Sequence, residues 1–185
     1  MNDDDTTGIH STAIIDSTAI IGKNVTIGPY CIVGPRVEIG NDTVLVSHVV
    51  VPAFTKIGDN NKIHEFVSLG GDPQDLHFKN EKSYLIIGDN NIFFPFCTIN
   101  RGTAKQDLKT IIGSNNMFMA YTHVGHDSII GNNILFSNNA TLAGHVQVDD
   151  FAIIGAFSAI HQFCHIGAYS FITQAALVSK AVLPY

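Results

Sequence analysis

The chain has 185 residues, of which 45% are hydrophobic and 14% are charged, and its formal net charge is -6. This length suits one domain with a large core, and the acidic balance argues against nonspecific nucleic-acid binding. The first seven residues are acidic and polar, so no secretory signal is visible, and no apolar run approaches the roughly 20 residues of a membrane helix. We expect residues 1–8 to be a flexible N-terminus and residues 9–185 to form a single domain.

A six-residue period runs through most of the chain. A large apolar residue returns at every sixth position from Ile9 to Leu69 and again from Ile87, and after a shift of one residue the series continues from Ile112 to Val178. A helix or a simple alternating strand does not produce this period. A short repeat sustained over a whole chain is typical of a solenoid. We therefore predict an all-β fold, a hexapeptide-repeat parallel β-helix with coils of 18 residues, and roughly eight coils stacked about 4.8 Å apart.

The positions within each hexad have different roles. Glycine often follows the core residue, the fourth position after it is small or β-branched, and Gly, Asn and Asp are expected at the corners, as in 59–61 and 89–91. The three cysteines, Cys31, Cys97 and Cys164, all occupy the fourth position. We expect them to be buried free thiols in a reducing cytoplasm.

Two segments interrupt the repeat and are predicted to protrude as loops, near 72–83 and near 104–110. Half of the basic residues of this acidic chain lie in or beside these loops: Lys79, Lys82, Arg101, Lys105 and Lys109. They are either solvated loop side chains or a basic patch for an acidic partner or a phosphate-bearing ligand.

Four of the nine histidines cluster after the second loop, namely His123, His126, His145 and His161. Gly144 lies eighteen residues after His126, and His145 follows it directly. The side chains of His126 and His145 are therefore predicted to be neighbours, one coil apart. His161 follows one coil later. Such a row of imidazoles on one edge indicates a functional site; a ladder of solvent-exposed polar corners is the alternative explanation.

A histidine acts as a general base when a carboxylate or carbonyl orients its second nitrogen. Asp127 adjoins His126, but we expect its side chain to point elsewhere, whereas Asp75 of the first loop could reach the site. A zinc ion on three imidazoles is the alternative, although no compact ligand pattern emerges. Four further histidines are given no role: His10, His48, His64 and His165.

Seven sequence motifs, in order along the chain, are specific enough to indicate a family. They are GPYCIVGP (28–35), SHVVV (47–51), QDLHF (74–78), NRGT (100–103), HVGHD (123–127), NNATLAGHVQVDDFAIIG (138–155) and HQFCHIGA (161–168). Together they resemble the UDP-N-acetylglucosamine O-acyltransferase family of bacterial lipid A biosynthesis over residues 8–185. The resemblance implies a left-handed helix, a cytoplasmic homotrimer with active sites between subunits, and transfer of a 3-hydroxyacyl group from acyl carrier protein to the sugar 3-hydroxyl.

The resemblance also implies roles for individual residues. His126 resembles the general base, Asp75 the carboxylate that orients it, and the Gly144 N–H the oxyanion-hole donor. The residues that resemble supporting and sugar-contacting groups are His123, His145, His161 and Gln162. The basic loop residues fit docking of the acidic acyl carrier protein, whose phosphopantetheine carries the acyl group; no metal or other cofactor is expected.

Four departures from the family pattern stand out. Asn100 replaces a common site histidine, and His77 replaces a common site lysine. Gln174 stands where long-chain members have glycine in the acyl groove, so we expect it to shorten or polarise that groove. The family's C-terminal helical domain is absent from the 185 residues, which indicates either a shortened chain or a natural minimal relative.

Three other functions stay open at this point. An N-acyltransferase acting on an amino group of a nucleotide sugar would need the same base and oxyanion hole. A zinc-dependent carbonic anhydrase could use His123, His126 or His145 as ligands. A non-catalytic scaffold trimer is the third alternative.

Overall fold

The computed structural model describes residues 8–185, which form one parallel β-helix. Residues 1–7, and with them most of the predicted flexible N-terminus, lie outside the described residues. Between residues 8 and 185 there is no helix of the length and apolarity required to span a membrane.

Within residues 8–185, twenty-five short strands, numbered β1 to β25 in order, make up three parallel sheets. The first sheet contains β1 (Ile14–Ile15), β4 (Ile32–Val33), β7 (Val50–Val51), β10 (Ser68–Gly71), β13 (Thr98–Asn100), β16 (His123–Val124), β19 (Thr141–Leu142), β22 (Ala159–Ile160) and β25 (Leu177–Val178). The second contains β2 (Ile20–Ile21), β5 (Glu38–Ile39), β8 (Thr55–Ile57), β11 (Tyr84–Ile87), β14 (Lys109–Ile112), β17 (Ile129–Ile130), β20 (Gln147–Val148) and β23 (His165–Ile166). The third contains β3 (Thr26–Ile27), β6 (Val44–Leu45), β9 (Lys62–Ile63), β12 (Ile92–Phe93), β15 (Met117–Phe118), β18 (Leu135–Phe136), β21 (Ile153–Ile154) and β24 (Phe171–Ile172).

The register of the sheets confirms the predicted coil. Met117 pairs with Leu135, for example, and regular coils repeat every 18 residues. The separation rises to 30 residues across the first loop and to 25 across the second. The first loop occupies 72–83 as predicted. The second occupies 101–108 rather than 104–110, because Lys109 and Thr110 already pair with β11 as part of β14.

The interior is filled by the residues of the six-residue series. Three phenylalanines of the third sheet, Phe93, Phe118 and Phe136, stack face to face inside the prism with centroid distances of 4.8 and 4.7 Å. The three cysteines are buried and free, as predicted. Burial raises the pKa of the Cys97 thiol to about 11.

The turns need a residue in the left-handed region, and Asn60 (φ 55°) and Asn90 (φ 57°) provide it as predicted. Aromatic residues also occupy this position, which the sequence analysis did not foresee. Where the third sheet turns into the first, five rings form a ladder with centroid distances of 4.8 to 5.2 Å: Tyr30, His48, Phe66, Phe96 and Tyr121. Ring stacking of about 0.5–1.5 kcal/mol per pair offsets much of the cost of the left-handed backbone, about 1–2 kcal/mol per residue. We call this line of turns the aromatic edge.

A second line of turns joins the first sheet to the second, and we call it the loop-bearing edge. Both loops, 72–83 and 101–108, project from it, and the turns 125–128, 143–146 and 161–164 follow along the same edge. Since successive coils are about 4.8 Å apart, side chains from these five segments can meet.

Candidate active site

The loop-bearing edge carries most of the residues that the sequence singled out. His126 lies in the turn 125–128, and Gly144 and His145 lie one coil further along in 143–146. His161 and Gln162 follow in the next turn, where both are exposed. Asp75 projects from the first loop. Three of the four predicted histidines, His126, His145 and His161, therefore lie on one edge, whereas His123 lies in strand β16.

The carboxylate beside His126 is Asp127, at 2.8 Å from Nδ1 to Oδ2. The expectation that Asp127 points away was wrong. With φ at 59°, the left-handed backbone of Asp127 brings its side chain back against the preceding ring. Because a carboxylate only accepts, Nδ1 of His126 carries a proton, and in the neutral tautomer Nε2 keeps a lone pair.

Asp127 is itself fully buried and firmly held. The Thr103 backbone N–H donates to Oδ1 at 2.8 Å, and the Thr103 hydroxyl donates to Oδ2 at 2.6 Å. Burial acts to raise the pKa of the Asp127 carboxyl, but the hydrogen bonds from His126 and Thr103 outweigh it and hold the pKa below its ordinary value. The carboxylate is thus charged and fixed in orientation.

Gly144 lies directly against the His126 ring. A Cβ at this position would stand 2.6 Å from Cε1 and 2.8 Å from Nε2 of His126, so only glycine leaves the imidazole in place. Within residues 8–185 the Gly144 N–H donates no hydrogen bond. A backbone donor without a partner among the described residues therefore belongs to the glycine that packs against the His126 ring.

His145 is packed between three neighbours. Its Nδ1 lies 2.6 Å from Oε1 of Gln106, its Nε2 lies 3.7 Å from Oδ2 of Asp127, and its ring stacks on Phe163 at 4.5 Å. Burial lowers the pKa of His145, although the charge of Asp127 acts in the opposite direction. Burial therefore favours the neutral form of His145.

His123 belongs to β16 and faces outward from the first sheet. Its Nδ1 lies 2.8 Å from the hydroxyl of Thr98 in the preceding coil. Burial, and then the nearby His126, lower the pKa of His123. His123 is thus close enough to His126 for their charges to interact.

In this single chain the carboxylate of Asp75 is held by groups other than His126. Lys105 Nζ lies 2.6 Å from Oδ2, while the His77 backbone N–H and ring contact Oδ1 at 2.8 and 3.2 Å. The hydrogen bond from Lys105, followed by that from the His77 N–H, holds the pKa of the Asp75 carboxyl well below its usual range. Lys105 Nζ also lies 3.4 Å from Nδ1 of His77. His77 is the residue that replaces a common lysine of the family, so Lys105 places a different lysine next to that position.

The basic residues of the loops differ in exposure. Lys79, Lys82 and Lys105 are exposed, and Lys109 is half-buried at the start of β14. Arg101 is buried instead: its guanidinium contacts Asp72 Oδ1 at 2.7 Å, the Glu81 carbonyl, and the Phe78 ring at 5.0 Å. Arg101 therefore pins the first loop to the helix, and the prediction that it offers a docking charge was wrong.

Gln174 is separated from this cluster. It lies in the turn 173–176 on the aromatic edge, where its side chain is exposed. A ligand at His126 could meet Gln174 only by crossing a sheet face or through a second copy of the chain.

The sequence did not predict the roles of three site residues. These are Thr103, Gln106 and Asp127. The two from the second loop lie 24 and 39 residues from their partners, and the insertion breaks the repeat that would have aligned them. A compact set of potential metal ligands was also missed, since ligand atoms of His126, Asp127 and His145 lie within 4.8 Å of one another.

The repeat and the fold define a class of protein. The bacterial transferase hexapeptide (six repeats) family matches residues 18–53 and 109–144. Two solved structures superpose closely: a UDP-N-acetylglucosamine acyltransferase from Francisella novicida (TM-score 0.95, 45% identity, 96% of this chain and 65% of that one) and one from Campylobacter jejuni (0.92, 40%, 96% and 69%). The predicted left-handed parallel β-helix is thereby confirmed.

The sequence comparison narrows the class further. An acyl-[acyl-carrier-protein]–UDP-N-acetylglucosamine O-acyltransferase from Campylobacter concisus is 41% identical over 96% of this chain and 68% of its own length. The chain therefore belongs to this O-acyltransferase family. Against the same enzyme of Pseudomonas savastanoi, identity is 48% over 66% of the chain, and the match spans only 48% of that relative's length.

Proposed function

We propose that this chain transfers a 3-hydroxyacyl group from acyl carrier protein to the 3-hydroxyl of UDP-N-acetylglucosamine, the first step of lipid A biosynthesis. The observation that carries the proposal is the His126 ring, held at Nδ1 by Asp127 and packed against Gly144, whose N–H donates no hydrogen bond among the described residues. Acyl transfer to an alcohol requires these two groups, a base and an oxyanion donor.

In the proposed reaction His126 Nε2 removes the proton of the sugar hydroxyl as its oxygen attacks the thioester carbonyl. The negative charge that develops on the carbonyl oxygen is stabilised by the Gly144 N–H. Collapse of the tetrahedral intermediate breaks the C–S bond, and the imidazolium returns its proton to the departing phosphopantetheine sulfur. Asp127 stabilises the transient charge on His126 and preserves its tautomer.

Asp75 requires a different role from the one first expected. In the single chain it is paired with Lys105 and His77, so Asp127 is the better candidate for orienting His126. We propose that Asp75 and Lys105 line the substrate cleft, with His123, His145, His161 and Gln162 as contacts for the sugar and the acyl donor.

The partner surfaces follow from charge and exposure. Lys79, Lys82 and Lys105 are exposed on the loop-bearing edge of an acidic chain, which suits docking of a strongly acidic carrier protein. We place the enzyme in the cytoplasm, where its three free thiols would stay reduced. Nothing in the site favours an amino acceptor, and the matched relatives are named as O-acyltransferases.

The decisive experiment measures acyl transfer from acyl carrier protein to UDP-N-acetylglucosamine by His126→Ala. Loss of a general base should lower the rate by about 10²–10⁴-fold. His165→Ala is the matched control, because His165 is exposed on the second sheet and paired with Asp149. Equal rates for His126→Ala and the parent chain would remove the catalytic assignment.

Acyl-chain length is a separate question that centres on Gln174. We propose that its bulk on the aromatic edge shortens or polarises the acyl groove, so Gln174→Gly should shift the preference toward longer chains. Ala175→Gly loosens the same turn without removing this side chain, and it controls for backbone flexibility. An unchanged chain preference in Gln174→Gly would end the idea.

A further inference from the structure

His145 and Asp127 present two atoms to each other that can both act as acceptors. Gln106 Oε1 lies 2.6 Å from His145 Nδ1, so Nδ1 carries a proton, and in the neutral ring Nε2 keeps a lone pair. This lone pair lies 3.7 Å from Asp127 Oδ2. A lone pair and a carboxylate in this arrangement repel each other unless a cation occupies the space.

We propose that His126, Asp127 and His145 bind one divalent transition-metal ion, such as Zn²⁺, and that the ion switches off His126. The three residues can each offer a ligand atom, and these atoms lie within 4.8 Å of one another. Two imidazole nitrogens and one carboxylate oxygen are ligands that zinc accepts, whereas Mg²⁺ and Ca²⁺ prefer oxygen alone.

The surroundings resemble those of a built metal site. Ligating histidines usually donate their other ring N–H to a carbonyl, and ligating carboxylates are themselves hydrogen-bonded. Gln106 meets the first requirement for His145, and Thr103 meets the second for Asp127. The positive charge of Lys105 would repel a metal ion, but Lys105 is paired with Asp75 at 2.6 Å.

The expected effect on His126 is a change of tautomer. A metal on Nδ1 takes the place of the ring proton there, and the proton moves to Nε2, so no net proton is released. Nε2 then has no lone pair and cannot accept a proton from a hydroxyl. A bound ion would therefore block base catalysis without blocking the cleft.

Calorimetric titration of the untagged chain with Zn²⁺ tests the binding directly and does not depend on the proposed activity. We expect one ion per chain, with His145→Ala abolishing the site and Gln106→Ala, which leaves every ligand in place, weakening it by about 10–100-fold. His161→Ala, on the same edge but outside the cluster, should bind normally.

One-site binding that survives in His145→Ala would overturn the proposal, since the ion would then lie elsewhere, for example on the pair of His165 and Asp149. Unchanged affinity in Gln106→Ala would contradict it as well, even if His145→Ala failed to fold. With Co²⁺ as the probe, visible absorption should show four-coordinate nitrogen and oxygen ligation that is lost in Asp127→Asn.

Discussion

Three neighbouring residues decide what the site can do. His126 supplies the lone pair, Asp127 fixes which nitrogen carries it, and Gly144 leaves room for the ring while presenting an unused N–H. None of these functions depends on an unusual side chain. They depend on two turns, one coil apart, that hold an imidazole between a carboxylate and a backbone donor.

Gly144→Ala tests this packing. The new Cβ would meet the His126 ring at 2.6 Å and displace it, and a displacement of about 1 Å can lower turnover by about 10²-fold. Gly71→Ala is the control, since its Cβ would find only ordinary contacts at 3.7 Å. Steady-state acyl transfer and thermal unfolding should distinguish the two variants. Gly144→Ala should lose activity while its melting temperature stays nearly unchanged. Full activity of Gly144→Ala would show that the His126 ring can accommodate the added methyl group.

The element on which the site most depends is the second loop, 101–108. Thr103 holds Asp127, Lys105 pairs with Asp75, and Gln106 contacts His145, so one short insertion reaches three separate groups. The regular coils supply the histidines, but this loop decides their hydrogen-bond partners.

Thr103→Val tests this contact with a side chain of nearly the same size, and it also removes the acceptor of the Lys105 backbone N–H at 3.2 Å. The substitution removes the hydroxyl that donates to Asp127 at 2.6 Å, and loss of a hydrogen bond to a buried charge costs about 1.5–3 kcal/mol. We expect a lower unfolding free energy together with a lower kcat, whereas Thr103→Ser should recover both. Thr26→Val, on the third sheet away from the site, should change neither. An active and fully stable Thr103→Val protein would mean that Asp127 needs no support from the loop.

In the whole molecule, the candidate catalytic residue and the candidate acyl-groove residue of one chain lie on two different edges. His126 lies on the loop-bearing edge and Gln174 on the aromatic edge, where large apolar side chains such as Phe157 (67% exposed) and Tyr30 (58%) face outward. Exposed apolar patches of this kind mark sites of association. A cleft between copies would bring His126 of one chain near Gln174 of another.

The resemblance to the O-acyltransferase family implies a homotrimer, and we predict a trimer in solution. Light scattering coupled to size exclusion should give three times the 20.0 kDa chain mass, and the value should hold on dilution to working enzyme concentrations. A chain that is active as a monomer would contradict both the trimer and the shared cleft.

The sequence by itself determined the β-helix, the first loop, the buried thiols and the row of histidines. These features follow from the six-residue period, because an 18-residue coil turns spacing along the chain directly into position in space. His126 and Gly144 could be placed one coil apart for that reason alone.

Only the tertiary structure decided which groups those histidines contact. Asp127 turns back to His126 because of a left-handed backbone conformation that composition does not reveal. Thr103 and Gln106 meet their partners because the second loop folds over the edge, across separations of 24 and 39 residues that no longer obey the repeat. Arg101 is drawn inward by Asp72 and Phe78, although its charge suggested the surface. A repeat determines positions within coils, whereas the conformations of turns and insertions depend on contacts between coils.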